Sequence, residues 1–172
     1  MRRTLITLGL LTAAAPAWAG AQFPIGDAVE REGMTIAASY LTGVQMDKNP
    51  AGMGTGQDAV NLQADIHATA GESHGFARDA WIPYLSISFS LTRDGAPTYK
   101  KNGLLYPLAA KDGPHYAANV DMAGPGTYHL ATIISPPSSH GLLRHTDKAN
   151  GVPEWWKPIS LNWTFTYPDK SK

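Results

Sequence analysis

Apolar and polar residues alternate along most of the chain with the period of two that is typical of half-buried β-strands. The pattern is clearest at 85–92, where Leu85, Ile87, Phe89 and Leu91 alternate with three serines and a threonine, and it returns at 161–167. Weaker strand patterns lie at about 34–41, 61–69, 99–108, 116–122 and 127–134. Turns rich in Gly, Pro and Asp separate these segments, and no amphipathic helix of three turns is evident. Seven short strands predict an all-β fold, specifically an immunoglobulin-like antiparallel β-sandwich.

One predicted strand carries a continuous row of polar side chains. Alternation over residues 61–67 places three apolar residues on one face and Asn61, Gln63, Asp65 and His67 on the other. Amide, carboxylate and imidazole groups are all potential hydrogen-bonding partners or metal ligands. This face is therefore the first candidate for a functional site.

The first 19 residues read as a cleavable Sec-type signal peptide. Arg2 and Arg3 form a basic start, residues 4–16 are mostly apolar, and Ala17-Trp18-Ala19 has the small-x-small pattern of a cleavage site. Only the arginine pair matches a twin-arginine signal. The apolar run is shorter than the ~20 residues that a membrane-spanning helix needs. We therefore expect a mature periplasmic protein, residues 20–172, with a single domain and no direct insertion into the membrane.

Composition narrows the classes of ligand. Removing residues 1–19 takes away two of the 14 basic residues and none of the 14 acidic ones, which leaves a net charge of −2. No basic patch is available to follow a phosphate backbone, so nucleic acid is not an expected partner. The chain contains no cysteine, which excludes disulfides and thiolate sites. Any metal must use imidazole, carboxylate, amide or thioether ligands.

The six histidines differ in their local sequence. His115 follows the tight turn Asp112-Gly113-Pro114 at a strand start, and His145 lies two residues before Asp147, which could orient its ring. His67 shares the polar strand face and is a weaker ligand candidate. We expect a solvated His74, a structural contact for His129 and a mobile loop around His140.

Two further groups have alternative interpretations. Met46 and Met53 lie in a Gly-rich loop and are either soft ligands for Cu(I) or ordinary packing residues. Trp155 and Trp156 precede the last strand and form either a core plug, which we favour, or a platform on which a ligand stacks.

Several segments together resemble the periplasmic high-affinity iron-uptake proteins, in order and through essentially the whole mature chain. The matching segments are Phe23-Pro24-Ile25-Gly26, Ala64-Asp65-Ile66-His67-Ala68, Trp81-Ile82-Pro83-Tyr84-Leu85, Asp112-Gly113-Pro114-His115-Tyr116, Arg144-His145-Thr146-Asp147 and Trp155-Trp156-Lys157-Pro158. The resemblance implies an immunoglobulin-like homodimer that binds copper, and manganese or other divalent ions in place of iron. It also implies a site near the dimer interface with ligands from both subunits, and an inner-membrane iron permease as partner.

The ligand positions implied by the resemblance are only partly retained. The typical strand pattern His-x-Glu-x-Asp-x-His has Asn61 and Gln63 at its first two positions here, and a Met position is occupied by Leu108. The implied ligands that match are Asp112, His115 and His145. An amide oxygen is a weaker donor than imidazole, and Leu cannot coordinate at all, so copper should bind less tightly than in the family.

The sequence therefore supports three hypotheses. The first is a non-enzymatic metal-binding component of an iron-uptake system that binds a copper- or iron-type divalent ion through His115, His145 and Asp112, with Gln63 and Asn61 completing the site. The second is a metal-free paralogue that acts as a dimeric periplasmic interaction module. An enzyme ranks last, because no nucleophile elbow, cysteine or helical pair of histidines is present.

Overall fold

The computed structural model describes residues 22–168, and the predicted signal peptide lies outside them. These residues form nine β-strands and one short 3₁₀ helix, Pro137–His140. The strands are β1 (Gln22–Pro24), β2 (Val29–Arg31), β3 (Met34–Thr42), β4 (Ala59–Ala68), β5 (Ser86–Arg93), β6 (Lys100–Ala110), β7 (Gly113–Asp121), β8 (Gly126–Ser135) and β9 (Ile159–Tyr167). All seven strands predicted from the alternation are present as β3–β9. The three-residue strands β1 and β2 are too short to show a period.

The strands follow one antiparallel path, in the order β1-β3-β4-β7-β6-β5-β8-β9, with β2 on a separate part of β3. Strand β6 joins the two halves, because its first half pairs with β5 and its second half pairs with β7. The sheet curls over its own apolar face: the ring of Tyr40 on β3 lies 5.7 Å from Phe165 and 5.6 Å from Tyr167 on β9.

The apolar residues of both halves form one core. Alternation in β5 and β9 is observed as predicted, with Ile87, Phe89 and Leu91 buried and the intervening polar residues more exposed. The all-β antiparallel prediction is confirmed. The more specific immunoglobulin-like sandwich is not confirmed, because strand pairing runs continuously through β6 in a curled half-barrel. No helix within residues 22–168 is long and apolar enough to cross a membrane.

The segment between the 3₁₀ helix and β9 packs against the rest of the fold through His74, whose ring also contacts the Glu72 carboxylate. His74 Nδ1 lies 2.9 Å from Glu72 Oε1, and their side chains are 7% and 2% exposed. The imidazole stacks on Trp155 at 4.7 Å and meets Trp156 edge-on. The prediction of a solvated His74 is therefore wrong, whereas the tryptophans act as the core plug that the sequence favoured. The missed signal was Glu72, two residues away, which supplies a partner for the ring.

Candidate functional site

The polar face of β4 is buried where it meets β7. Asn61 and Gln63 are 1% and 4% exposed, and His115 on β7 is 5% exposed. Strand pairing places Asn61 opposite Asn119 and Gln63 opposite Ala117, so His115 lies diagonally across from Gln63. The neighbours Leu62 and Ala64 point into the core, as the period of two requires. Three of the five predicted site residues are thus brought together.

Gln63 contacts both of the other residues directly. The side-chain nitrogen of Gln63 lies 3.0 Å from Nε2 of His115 and 2.9 Å from Oδ1 of Asn61. The Gln63 oxygen accepts a long 3.5 Å bond from the hydroxyl of Ser39, which in turn accepts from Gln22 at 2.9 Å. Each polar group of Gln63 therefore has a partner within the protein.

The contacts continue from the strands into the loop at 43–58. Asn61 donates to Oδ1 of Asn119 at 2.9 Å, Asn119 donates to Oδ1 of Asn49 at 3.4 Å, and Asn49 donates to the carbonyl of Gly54 at 3.2 Å. We call the four side chains Gln63, Asn61, Asn119 and Asn49 the amide ladder. Sequence reasoning missed its last two members. Asn119 could have been found, because it shares the polar face of β7 with His115, whereas nothing in the sequence places the loop residue Asn49.

The other two predicted ligands lie at the surface. Asp112 is in the exposed turn between β6 and β7. The side chain of His145 is 77% exposed, and its Nδ1 lies 3.3 Å from Asp147 Oδ2. Hydrogen bonds from the backbone of Asn150 and from other groups, including His145, lower the pKa of Asp147. Among the hydrogen bonds of residues 22–168, none joins Asp112 or His145 to the buried three.

The donor set does not fit a high-affinity copper centre. Within the described part of the chain, no three His, Cys, Asp or Glu side chains are grouped closely enough to hold a metal ion. The buried imidazole of His115 has its Nε2 already in contact with Gln63. Leu108 pairs with His115 across the β6–β7 ladder, so the residue at the implied Met position is an alkyl neighbour of the ring. Amide oxygens suit harder ions than copper and hold them weakly.

The two loop methionines have different environments. Met46 is half-buried, and its sulfur lies 3.9 Å from the side-chain nitrogen of Asn61. It lines a polar cavity of about 560 Å³ beneath the loop, together with Asn49, Asn61 and Asn119. Met53 packs against the hydrophobic core, which agrees with the packing alternative.

The remaining histidines lie apart from the amide ladder. His67 pairs with Trp81 in an isolated bridge and lines a separate cavity of about 480 Å³. His129 contacts Thr164 at 3.0 Å and Asp94 at 2.8 Å, as expected of a structural histidine. His140 ends the 3₁₀ helix with its Nδ1 3.2 Å from the carbonyl of Tyr84.

Residues 20–169 match the model of a family described as Fe2+ transport protein. The chain belongs to this family. The resemblance inferred from the sequence motifs is thereby confirmed. A UPF0423 protein of Brucella abortus is 39% identical over 155 residues, which cover 88% of this chain and 84% of the relative.

Solved structures of similar proteins contain copper. Copper-reconstituted P19 of Campylobacter jejuni has a TM-score of 0.78 and 38% identity, over 86% of this chain and 97% of P19. A copper-bound Glu-to-Gln variant of FetP from uropathogenic E. coli has a TM-score of 0.79 and 41% identity, over 86% and 97% of the two chains. A copper-bound Met-to-Ile variant of P19 has a TM-score of 0.77 and 38% identity, over 86% and 98%.

Proposed function

We propose that this protein is a non-enzymatic periplasmic component of an iron-uptake system that binds a divalent metal ion at a low-affinity site centred on His115. The observation that carries the proposal is the burial of His115, Gln63 and Asn61 in one contact group in a member of an iron-transport family. The amide oxygens of Gln63 and Asn61 would serve as ligands beside the imidazole. Asp112 and His145 would complete the shell from the surface, one or both from a second subunit.

The relatives support metal binding by an altered site. A FetP variant in which Gln replaces a Glu, and a P19 variant in which Ile replaces a Met, are both copper-bound. This chain carries Gln63 and Leu108 where the sequence resemblance implies Glu and Met. Asn61, in place of an implied His, removes a further nitrogen donor, so the ion held here is expected to be harder and more weakly bound than copper in those proteins.

The internal hydrogen bonds set a cost for binding. An ion reaching Nε2 of His115 displaces the Gln63 N–H, which lies 3.0 Å away, and Gln63 must turn its amide to offer oxygen. If the lost hydrogen bond between Gln63 and His115 contributes about 1 kcal/mol, the affinity of the site for the ion falls roughly five-fold.

The proposed assembly is a homodimer that delivers iron to an inner-membrane permease. Exposed apolar side chains support a contact surface: Leu143, two residues from His145, is 89% exposed, and Tyr84, whose carbonyl contacts His140, is 53% exposed. A dimer contact here would bury Leu143 and bring the exposed imidazole of His145 close to a second chain.

Calorimetric titration of metal-free mature protein with Mn(II), and separately with Cu(II), tests the proposal. We expect one weakly bound ion per chain, and loss of that binding in His115→Ala. His129→Ala is the matched control. His129 lies on the other half of the sheet, and its two ring nitrogens already contact Thr164 and Asp94. Binding that persists in His115→Ala would place the ion elsewhere and refute this site.

A second candidate function is a metal-free dimeric docking module. It is favoured by the amide ladder, because the Gln63 side-chain nitrogen contacts both Asn61 and Nε2 of His115 without an ion. Absence of binding heat for both metals in the wild-type protein would select this function over the first.

A further inference from the structure

The direction of hydrogen bonding in the amide ladder is fixed at its loop end. A side-chain amide can be turned so that its oxygen and nitrogen exchange places, so the direction must be established from a group that cannot reverse. The carbonyl of Gly54 is such a group, because it only accepts. Asn49 must therefore present its nitrogen to Gly54 and its oxygen to Asn119, as the 3.2 Å and 3.4 Å contacts show.

A second anchor acts on the middle of the amide ladder. The thioether sulfur of Met46 has no hydrogen to donate and accepts weakly. It lies 3.9 Å from the side-chain nitrogen of Asn61, which also donates to Asn119 at 2.9 Å. The oxygen of Asn61 is thereby left to face Gln63. Both anchors, Gly54 and Met46, require the same direction.

The direction determines the state of His115. Because Asn61 presents its oxygen, Gln63 presents its nitrogen to both Asn61 and His115, at 2.9 Å and 3.0 Å. An N–H donor at this distance from Nε2 requires a lone pair on Nε2, so the ring proton is on Nδ1. We propose that Met46, Asn49 and Asn119 are positioning residues, through which the loop at 43–58 sets the tautomer of His115.

The functional consequence follows from what a metal ion needs. An imidazole that binds a metal ion must offer a lone pair on one ring nitrogen. Hydrogen bonds to the two ring nitrogens decide which nitrogen carries the proton and which one keeps the lone pair. In the observed direction the Gln63 N–H occupies the place of a cation at Nε2. In the reversed direction Gln63 would present oxygen, and Nε2 would carry the proton and be closed to metal. This step rests on the proposed function only in taking Nε2 as the atom that binds the ion.

Nitrogen NMR of the metal-free, ¹⁵N-labelled protein tests the inference. We expect the wild-type His115 ring to show a protonated Nδ1 and the deshielded resonance of an unprotonated Nε2. In the double variant Met46→Leu, Asn49→Ala, both anchors are lost, and the His115 signals should move toward those of a tautomer mixture. A purely structural role for these two residues would leave the ring tautomer unchanged.

Two controls keep the result interpretable. Gln57→Ala alters the same cavity outside the amide ladder and should leave His115 unchanged. The ring signals of His129, held by Asp94 and Thr164, report whether the double variant is folded. A protonated Nε2 in the wild-type protein, or an unaltered His115 in a folded double variant, would overturn the inference.

The NMR result and the metal titration can fail independently. Wild-type protein with the expected ring signals but no bound Mn(II) or Cu(II) would refute the proposed function and leave the inference intact. Wild-type protein that binds metal at His115 but carries its ring proton on Nε2 when metal-free would refute the inference alone.

Discussion

Removing the Glu72 carboxylate should lower the free energy of unfolding by more than a typical loop substitution does. Its two oxygens accept from the backbone N–H of His74 at 2.7 Å, the backbone N–H of Phe76 at 2.9 Å, and Nδ1 of His74 at 2.9 Å. Glu72→Ala leaves these three donors without their acceptor. At about 1 kcal/mol for each lost bond, the free energy of unfolding should fall by about 3 kcal/mol.

Urea denaturation followed by circular dichroism measures this loss. With an m-value of about 2 kcal/mol per molar urea, the midpoint should fall by roughly 1.5 M. Glu154→Ala is the matched control. Glu154 contributes only its main-chain carbonyl, 3.2 Å from Nε2 of His74, and its side chain is exposed. The control should remain within about 0.5 kcal/mol of wild type.

The same variant should loosen the segment that carries His145. Trp155 stacks on His74, and the Glu154 carbonyl contacts the ring, so the Glu72–His74 pair fixes one end of residues 141–158. Trypsin should therefore cleave after the exposed Lys148 faster in Glu72→Ala than in Glu154→Ala. Unfolding free energies of the two variants that agree within 0.5 kcal/mol, with equal cleavage rates, would refute this reasoning.

Two further predictions concern alkaline pH and assembly. Burial raises the pKa of Tyr116 from its usual value of 10.0 to about 12, although a backbone hydrogen bond from Leu85 opposes the shift. The folded state therefore favours the protonated phenol, and its contribution to stability is complete below pH 10 and is lost as pH rises toward 12. Urea unfolding in this range should show a shallower decline for Tyr116→Phe than for wild type; parallel declines would contradict this. Sedimentation should show two chains per particle for wild type and one for Leu143→Asp, whereas a single chain in wild type would exclude the proposed dimer.

The strands could be predicted because each alternation spans enough residues to define its two faces. The same rule placed Asn61 and Gln63 on one face of β4, and the turn before His115 correctly suggested a strand start. Alternation does not show, however, whether the polar face of a strand is exposed to solvent or buried by other parts of the chain. The burial of His115 depends on pairing between β4, β7 and β6, and one of the two partners of Asn119, Asn49, comes from a loop 70 residues earlier in the chain. Such contacts are decided by tertiary packing, which a local pattern does not encode.

A buried polar patch needs a partner for every donor and acceptor, and the choice of side chains decides whether that partner must be a cation. Carboxylate and thioether groups offer only acceptors, so a cluster built on them gains from a proton or a metal ion. A side-chain amide offers both a donor and an acceptor, so several amides can form a continuous series of hydrogen bonds. In this protein Gln63 and Asn61 use that property, and their chain ends on acceptors in the loop at 43–58. The buried positions of the site can therefore be retained without an obligatory ion. If an ion binds as proposed, its affinity would reflect competition with the Gln63 N–H for Nε2 of His115.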